Sequence, residues 1–421
     1  MYTEAMKKNQ IYNGETCPYW LAGRCTRNPC KFLHKITPSA INPHHHHHHH
    51  QHYSAQTTHM LNAKNVPTMK KKNNGGDEPI STNAPQKKPS QSICKYWMNG
   101  NCRHGDQCWN LHAWSHGKGF SPLAKLHQHK KTITGITLPN GTDKLFSCST
   151  DGTVRLWNCH TGQCADMTNV GSEVKSLISA GPWVFAGVSN AIKAWNIETN
   201  VQHTLNGPKG QVLAMAAGTN TLYGAAEDGA IYVWKNTSEA QSPFEPVVSL
   251  IGHTKAVVSL AFGADHKILF SGSMDHSIKV WDLDTLQCTM TLKAHKDMVT
   301  SLICWGPYLL SSSLDGTIKV WGATDAKTFE VIYTHNEEHG VIAINGTSDL
   351  EGKPILFSSR KDNSVGIYEI PSFSERGRLF SKHEVQTVQV APGGLIFTGD
   401  KAGLLKVWKL LANPEPKIAS S

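Results

Sequence analysis

Residues 252–282 read GHTKAVVSLAFGADHKILFSGSMDHSIKVWD, and this stretch decides the fold. Its apolar bursts are short, and glycine and aspartate turns separate them, so they have strand length and not helix length. Its opening pattern, a β-branched residue, any residue, a small one and an apolar one, is Val257-Val-Ser-Leu260. The same pattern occurs at Ile133-Thr-Gly-Ile136, Val174-Lys-Ser-Leu177, Val212-Leu-Ala-Met215, Val299-Thr-Ser-Leu302, Val341-Ile-Ala-Ile344 and Val385-Gln-Thr-Val388. Successive copies are 41, 38, 45, 42, 42 and 44 residues apart. An aromatic keeps step with them: Trp157, Trp195, Trp234, Trp281, Trp321, Tyr368 and Trp408. Most are preceded by a turn, namely Asp151-Gly152, Asp228-Gly229, Asp275-His276, Asp315-Gly316 or Asp362-Asn363. A period of about 40 residues built from short strands predicts an all-β repeat domain.

These seven periods resemble WD40 repeats, over residues 119–410. The resemblance implies a seven-bladed β-propeller with a buried hydrogen-bonded tetrad in each regular blade. Carried onto this sequence, the tetrads are His253, Ser271, Asp275 and Trp281 in blade four and His295, Ser311, Asp315 and Trp321 in blade five. Blade one has His129, Ser147, Asp151 and Trp157. The chemistry is sensible on its own terms, because a buried indole N–H, an imidazole and a carboxylate must satisfy one another. Blades two and six are irregular: Ser189-Asn190 stands where Asp-Gly is expected, and Tyr368 replaces Trp after the divergent segment Thr334 to His339. Phe120 to Leu126 reads like the strand Cys288 to Leu292, and few residues follow Trp408. The N-terminal segment is therefore expected to supply the outer strand of the last blade and to cover its open edge.

Upstream of the repeats the chemistry changes. Residues 1–118 hold 15 Lys+Arg against 5 Asp+Glu, while residues 119–421 hold 26 against 27. The basic excess points to a polyanionic partner for the first part of the chain alone. No apolar run approaches the ~18 residues that span a bilayer, and residues 1–14 contain no signal-type apolar stretch. A reducing compartment is expected, so the 11 cysteines are read as thiols or metal ligands, not as disulfides. Residues 35–93 carry the run His44–His50 and then Gln, Asn, Lys, Thr, Gly and Pro, with too few large apolar residues to offset the entropy of ordering.

Two cysteine and histidine constellations flank that segment. The first is Cys17, Cys25, Cys30 and His34; the second is Cys94, Cys102, Cys108 and His112. Three thiolates and one imidazole make a closed tetrahedral shell for structural zinc, with no coordination position left for a substrate. Each segment is too small to fold on apolar burial, so the metal must supply the folding free energy. Two structural Zn²⁺ ions are expected.

Both segments resemble CCCH zinc fingers, the second with the usual spacing and the first one residue short between its second and third cysteines. The resemblance implies that single-stranded RNA bases stack on exposed rings and bond through their edges. The rings in question are Tyr19, Trp20 and Phe32 in finger one, and Tyr96, Trp97 and Trp109 in finger two. Arg24, Arg27, Lys31, Lys95 and Arg103 are placed to reach phosphates. One ring of each adjacent pair is expected to cover the metal. Two such fingers before a WD40 propeller are similar to the plant family of CCCH-and-WD40 proteins.

The expected organisation is a basic tail and finger one over 1–37, a disordered linker over 38–90 and finger two over 91–118. The propeller follows over 119–410, and a tail over 411–421. The expected function is single-stranded RNA binding by the fingers, with the propeller docking protein partners. The alternatives are a substrate receptor of a cullin-type ubiquitin ligase and a DNA-binding regulator using the same fingers. No blade ends in the Trp-Asp-any-Arg that many such receptors carry. Catalysis is not expected: Ser, His and Asp recur from blade to blade as architecture, whereas a triad is needed once. Neither a membrane nor a small-molecule substrate is expected as a partner. The nucleus is the favoured compartment, with the cytoplasm as the alternative.

Overall fold

A computed structural model describes residues 92–117, 119–237, 243–324 and 328–411. Finger one (Cys17, Tyr19, Trp20, Arg24, Cys25, Arg27, Cys30, Lys31, Phe32 and His34), the 38–90 linker and residues 412–421 lie outside the described residues.

Strand and turn dominate the rest. After α1 (Lys95–Met98) come β1 (Ser115–Gly117) and β2 (Phe120–His127). The first antiparallel meander is β3 (Ile133–Thr137), β4 (Lys144–Ser149), β5 (Thr153–Asn158) and β6 (Cys164–Asn169). Next is a six-stranded sheet of β7 (Ser176–Ala180), β8 (Trp183–Asn196), β9 (Gln202–Ala217), β10 (Thr221–Ala226), β11 (Ile231–Asn236) and β12 (Phe244–Leu250). Two further meanders follow. One is β13 (Val257–Phe262), β14 (Ile268–Ser273), β15 (Ile278–Asp282) and β16 (Gln287–Leu292). The other is β17 (Val299–Trp305), β18 (Tyr308–Ser313), β19 (Thr317–Ala323) and β20 (Phe329–Asn336). The chain then lays down β21 (Val341–Ser348), β22 (Pro354–Arg360), β23 (Ser364–Glu369) and β24 (Ser374–Phe380). It finishes with β25 (Val385–Ala391), β26 (Leu395–Asp400) and β27 (Leu404–Leu410).

The all-β propeller agrees with the sequence, but the number of separate sheets does not. Six sheets form among the described residues, where seven separate blades are expected. The difference lies at β9, which pairs with β8 through Gln202–Gln211 and then with β10 through Val212–Ala217. Before β3, β13 and β17 a loop carrying the tetrad histidine separates an outer strand from the next inner strand. The aspartate of the same repeat clamps that loop, as Asp315 does by accepting from the Lys296 N–H at 2.8 Å. Residues 206–211 contain no histidine, and β9 runs on from one partner to the next across an irregularity at Gly207 and Gly210, both at positive φ.

Inner strands pack in cyclic order, β3 on β7, β7 on β9, and on through β13, β17, β21 and β25 back to β3. The N-terminal strand closes the last sheet as expected: β2 pairs with β27 from Phe120 opposite Leu410 to His127 opposite Leu404. The core lies between sheets. Trp157 packs with Leu126, Ile133, Phe397 and Leu405, so residues from both chain ends bury one another. Close approach also fixes sequence here: a Cβ on Gly272 would come within 2.7 Å of Val299.

The three regular tetrads form. Trp157, Trp281 and Trp321 each donate their indole N–H to Ser147, Ser271 and Ser311 at 2.8 Å. Nε2 of His129, His253 and His295 meets the same hydroxyl at 2.8, 2.7 and 2.7 Å. Their Nδ1 atoms face Asp151, Asp275 and Asp315. Burial lowers the pKa of all three histidines despite the neighbouring carboxylates, so they sit in the fold as neutral rings. The irregular blade six has a different network. Arg360 Nη1 pairs with Glu337 at 2.7 Å, Tyr368 donates to Glu337 at 2.9 Å, and Arg360 Nη2 donates to Ser364 at 2.6 Å. Both members of that ion pair are almost fully buried.

Candidate metal centre and nucleic-acid interface

Finger two is built around a parallel bridge between Ile93 and Leu111. Leu111 N–H donates to the Ser92 carbonyl and Cys94 N–H to the Leu111 carbonyl, both at 2.9 Å. That pairing sets Cys94 beside His112 although 17 residues intervene. Cys94 is the N-cap of α1, where its Sγ accepts the Trp97 N–H at 3.3 Å, and a 3₁₀ turn over Gly105–Gln107 delivers Cys108. Burial resists ionisation of the Cys94 thiol. The Trp97 N–H and the side chains of His112, Cys108 and Cys102 outweigh it and bring the pKa down to about 7. Cys108 moves the other way: the Asn110 amide favours its thiolate, but burial and the neighbouring sulfurs of Cys94 and Cys102 raise its pKa.

The ligand atoms of Cys94, Cys102, Cys108 and His112 lie within 4.8 Å of one another. A tetrahedral zinc with ~2.3 Å sulfur bonds needs edges of roughly 3.8 Å, so the set is close to the size required. The imidazole supplies an independent test. His112 Nε2 is buried and has no hydrogen-bond partner among the described residues, which suits an atom whose partner is a metal. The donor set fits structural zinc.

The rings of the finger divide. Tyr96 and Trp109 are the large exposed ones, at 72% and 63% exposure. Lys95 and Arg103 are also exposed. Trp97 is half-buried, with its ring stacked on His112 at 5.6 Å and 12°. It is the ring of the adjacent pair that covers the ligand set, and its other neighbour is Trp114, at 5.2 Å.

Trp114 leads into the propeller. Its carbonyl accepts the Phe380 N–H at 2.9 Å, and β1 then adds to the edge of β24 with Ser115 opposite Leu379 and Gly117 opposite Gly377. The Trp114 ring packs against the cluster of Phe120, Phe357, Leu379 and Trp408. Lys406 Nζ sits 4.4 Å from its centroid and Lys125 Nζ 5.3 Å from it. Lys406 is nearly inaccessible, and burial, aided by Lys125 and Lys382 and opposed by Asp400, pushes its pKa down to about 7. Finger two is therefore docked on the propeller through a strand and a ring. Sequence reading missed this: Ser115-His-Gly117 has no strand pattern, and Trp114 lies outside the metal spacing. The one signal was a tryptophan two residues after the last ligand that the finger itself does not need.

A family model for the WD domain, G-beta repeat, matches residues 120–158, 244–282 and 286–322. These spans include the blades with intact tetrads. Zinc finger CCCH domain-containing protein 17 of Oryza sativa subsp. japonica is 45% identical over 400 residues, 94% of this chain and 91% of that protein. Zinc finger CCCH domain-containing protein 48 of Arabidopsis thaliana is 44% identical over 97% of this chain and 94% of its own length. Zinc finger CCCH domain-containing protein 63 of the same plant is 42% identical over 95% and 91%. No helix among the described residues is long and apolar enough to cross a membrane.

Proposed function

The chain belongs to the plant family of zinc finger CCCH domain-containing proteins with WD40 repeats, and from that membership we propose a zinc-dependent nucleic-acid-binding protein. Its favoured ligand is single-stranded RNA, and its propeller is a scaffold for protein partners. The observation that carries this is the pairing of a Cys₃His ligand set with two rings, Tyr96 and Trp109, that the finger leaves exposed beside Lys95 and Arg103. Bound zinc supplies the cross-link that replaces a hydrophobic core. The remaining work falls to the chain itself. Tyr96 and Trp109 offer faces on which unpaired bases stack, and Lys95 and Arg103 reach the phosphates. Trp97 holds the ligand set and is not available to a base in the same way.

The finer proposal is two zinc ions, one in each finger, with domains 1–37, 38–90, 91–118, 119–410 and 411–421 and a nuclear location. We count seven repeats in the ring, taking the six-stranded sheet as two blades joined through β9. The change of partner along β9 supports that count. Catalysis is not part of the proposal. The hydroxyls of Ser147, Ser271 and Ser311 are fully buried and already bonded to indole and imidazole, which supports reading these three serines as architecture.

The test is a titration of the full chain with single-stranded RNA pools, single-stranded DNA and duplex DNA. RNA is expected to bind most tightly. Tyr96→Ala and Trp109→Ala are each expected to weaken it about tenfold or more, at ~1–3 kcal/mol per stacked base. Zinc content must be unchanged in both variants. Tighter binding to duplex DNA than to RNA would sink the RNA reading. No binding to any of them would make the fingers protein-docking modules and favour the ligase-receptor alternative.

A further inference from the structure

The junction between finger two and the propeller gathers positive charge that the protein does not balance. Lys125 on β2 stands directly opposite Lys406 on β27. Like charges in that position destabilise a strand pair. Lys406 is held inside, donating to the Phe380 carbonyl at 3.1 Å and to Ser381 Oγ at 3.4 Å. Lys382 is the next residue along, and its side chain is exposed, as are those of Lys125, His127 and His383. Repulsion registers at two of the lysines: Lys125 is lowered by burial and then by Lys382, and Lys406 by burial and then by Lys125 and Lys382.

Acidic groups do not offset this. Among the described residues, Asp400 is the carboxylate that acts on His127 and Lys406. It is buried and committed elsewhere, accepting from Ser381 Oγ at 3.1 Å and from the Ala402 and Leu404 amides. The neighbouring Glu384 is paired with Lys401. Among the described residues, no ion pair involves Lys125 or Lys382.

We propose that Lys125 and Lys382, with His127 beside them, bind the phosphate backbone of the same single strand whose bases finger two takes. Finger two and the edge of the last sheet then form one continuous nucleic-acid site. The proposal rests on the nucleic-acid reading above. The geometry sets the lysines against the finger: the Trp97 ring that covers the ligand set lies 5.2 Å from the Trp114 ring, and the Lys125 ammonium lies 5.3 Å from Trp114. A stacking platform followed by a cationic track is the arrangement that holds single strands without sequence preference.

The experiment compares the full chain with Lys125→Gln/Lys382→Gln in titrations against a single-stranded RNA pool at several salt concentrations. Both side chains are exposed, so the variant is expected to fold, and melting and zinc content verify this. With ~0.7 counterions released per phosphate contact on a single strand, the double variant should flatten the slope of log affinity on log salt by about 1.4. It should also weaken binding evenly across sequences. Lys125→Arg/Lys382→Arg should restore both. Lys235→Gln/Lys267→Gln, the same charge change at exposed positions elsewhere, should leave both unchanged. An unchanged slope in the first variant, or an equal loss in the distant pair, overturns the proposal while leaving finger-mediated binding intact. Binding of polyglutamate but not RNA through these lysines overturns it in favour of an acidic protein partner. If the wild-type chain binds no nucleic acid and Tyr96→Ala changes nothing, the functional reading itself fails, and this one with it.

Discussion

Finger two and blade one both set a histidine against a tryptophan, and they satisfy the imidazole in opposite ways. In blade one the His129 ring meets Trp157 edge-on at 6.4 Å, and both its nitrogens find protein partners, Ser147 and Asp151. In the finger the His112 ring lies flat on Trp97, and its buried Nε2 finds none. The blade is complete with protein atoms, held by apolar burial between neighbouring sheets and by a closed polar cluster. The finger contains one short helix, one 3₁₀ turn and one bridge, with Cys94 as its one buried residue. Packing folds the first; ligation must fold the second.

The largest effect should come from removing the metal. A strong chelator, or Cys102→Ser, is expected to abolish the structure of finger two while the propeller keeps a cooperative melt at nearly the same temperature. Near-ultraviolet circular dichroism and calorimetry on one sample would check both halves. Propeller unfolding on chelation would break the comparison, since the blades would then depend on the finger docked beside them.

Blade six comes next, because it tests whether a polar cluster need be the usual one. Arg360→Ala leaves Glu337 buried with only the Tyr368 hydroxyl for company. Losing one partner of a buried pair costs about 3–5 kcal/mol, and urea unfolding would measure it. A loss below about 1 kcal/mol would mean that water reaches the site. In a regular blade, Ser271→Ala strands the Trp281 N–H and His253 Nε2 together, for about 1–3 kcal/mol by the same measurement.

The smallest effect per group is that of pH. His129, His253 and His295 have pKa values below the ordinary histidine value, because burial disfavours the charged ring. They stay neutral in the fold and take up protons on unfolding. Their contribution is complete above pH ~6.5 and is lost as pH falls from there toward the depressed folded values, at ~1.4 kcal/mol per pH unit for each ring. Asp151, Asp275 and Asp315 add nothing to this loss until lower pH. Burial opposes their ionisation, but hydrogen bonds from Thr153, Ser277 and Thr317 and from nearby amides hold them below the usual carboxylate range. The melting temperature of the propeller should therefore fall between pH 7 and 5. A flat profile there would mean that the rings are charged in the fold.

The regular tetrads were legible because each is written within one repeat, at spacings that recur. Blade six was legible only as an irregularity. Nothing in a string marks Glu337, Arg360 and Tyr368 as replacing one another's usual partners, since the substitution works only once the three side chains meet. The Cys₃His set of finger two was legible for the same reason as the tetrads, being local and written at spacings that nearly recur in finger one. The division of the rings was half legible: one of Tyr96 and Trp97 had to cover the ligands, but which one depends on the direction in which α1 leaves Cys94.

The sequence by itself determined the repeat, the aromatic at each period, the closing strand and the two candidate zinc sets. These follow from local patterns, and local patterns survive in one dimension. Tertiary structure alone decided that periods two and three run together through β9. It alone showed that Ser115–Gly117 extends a sheet whose nearest partner strand begins at Ser374. It alone showed that Lys125 and Lys406 converge under one tryptophan. Each of these is a meeting between residues far apart in the chain, where the outcome is set by which hydrogen-bonding edge is free and how much charge a neighbourhood already holds. Neither quantity exists until the chain has folded.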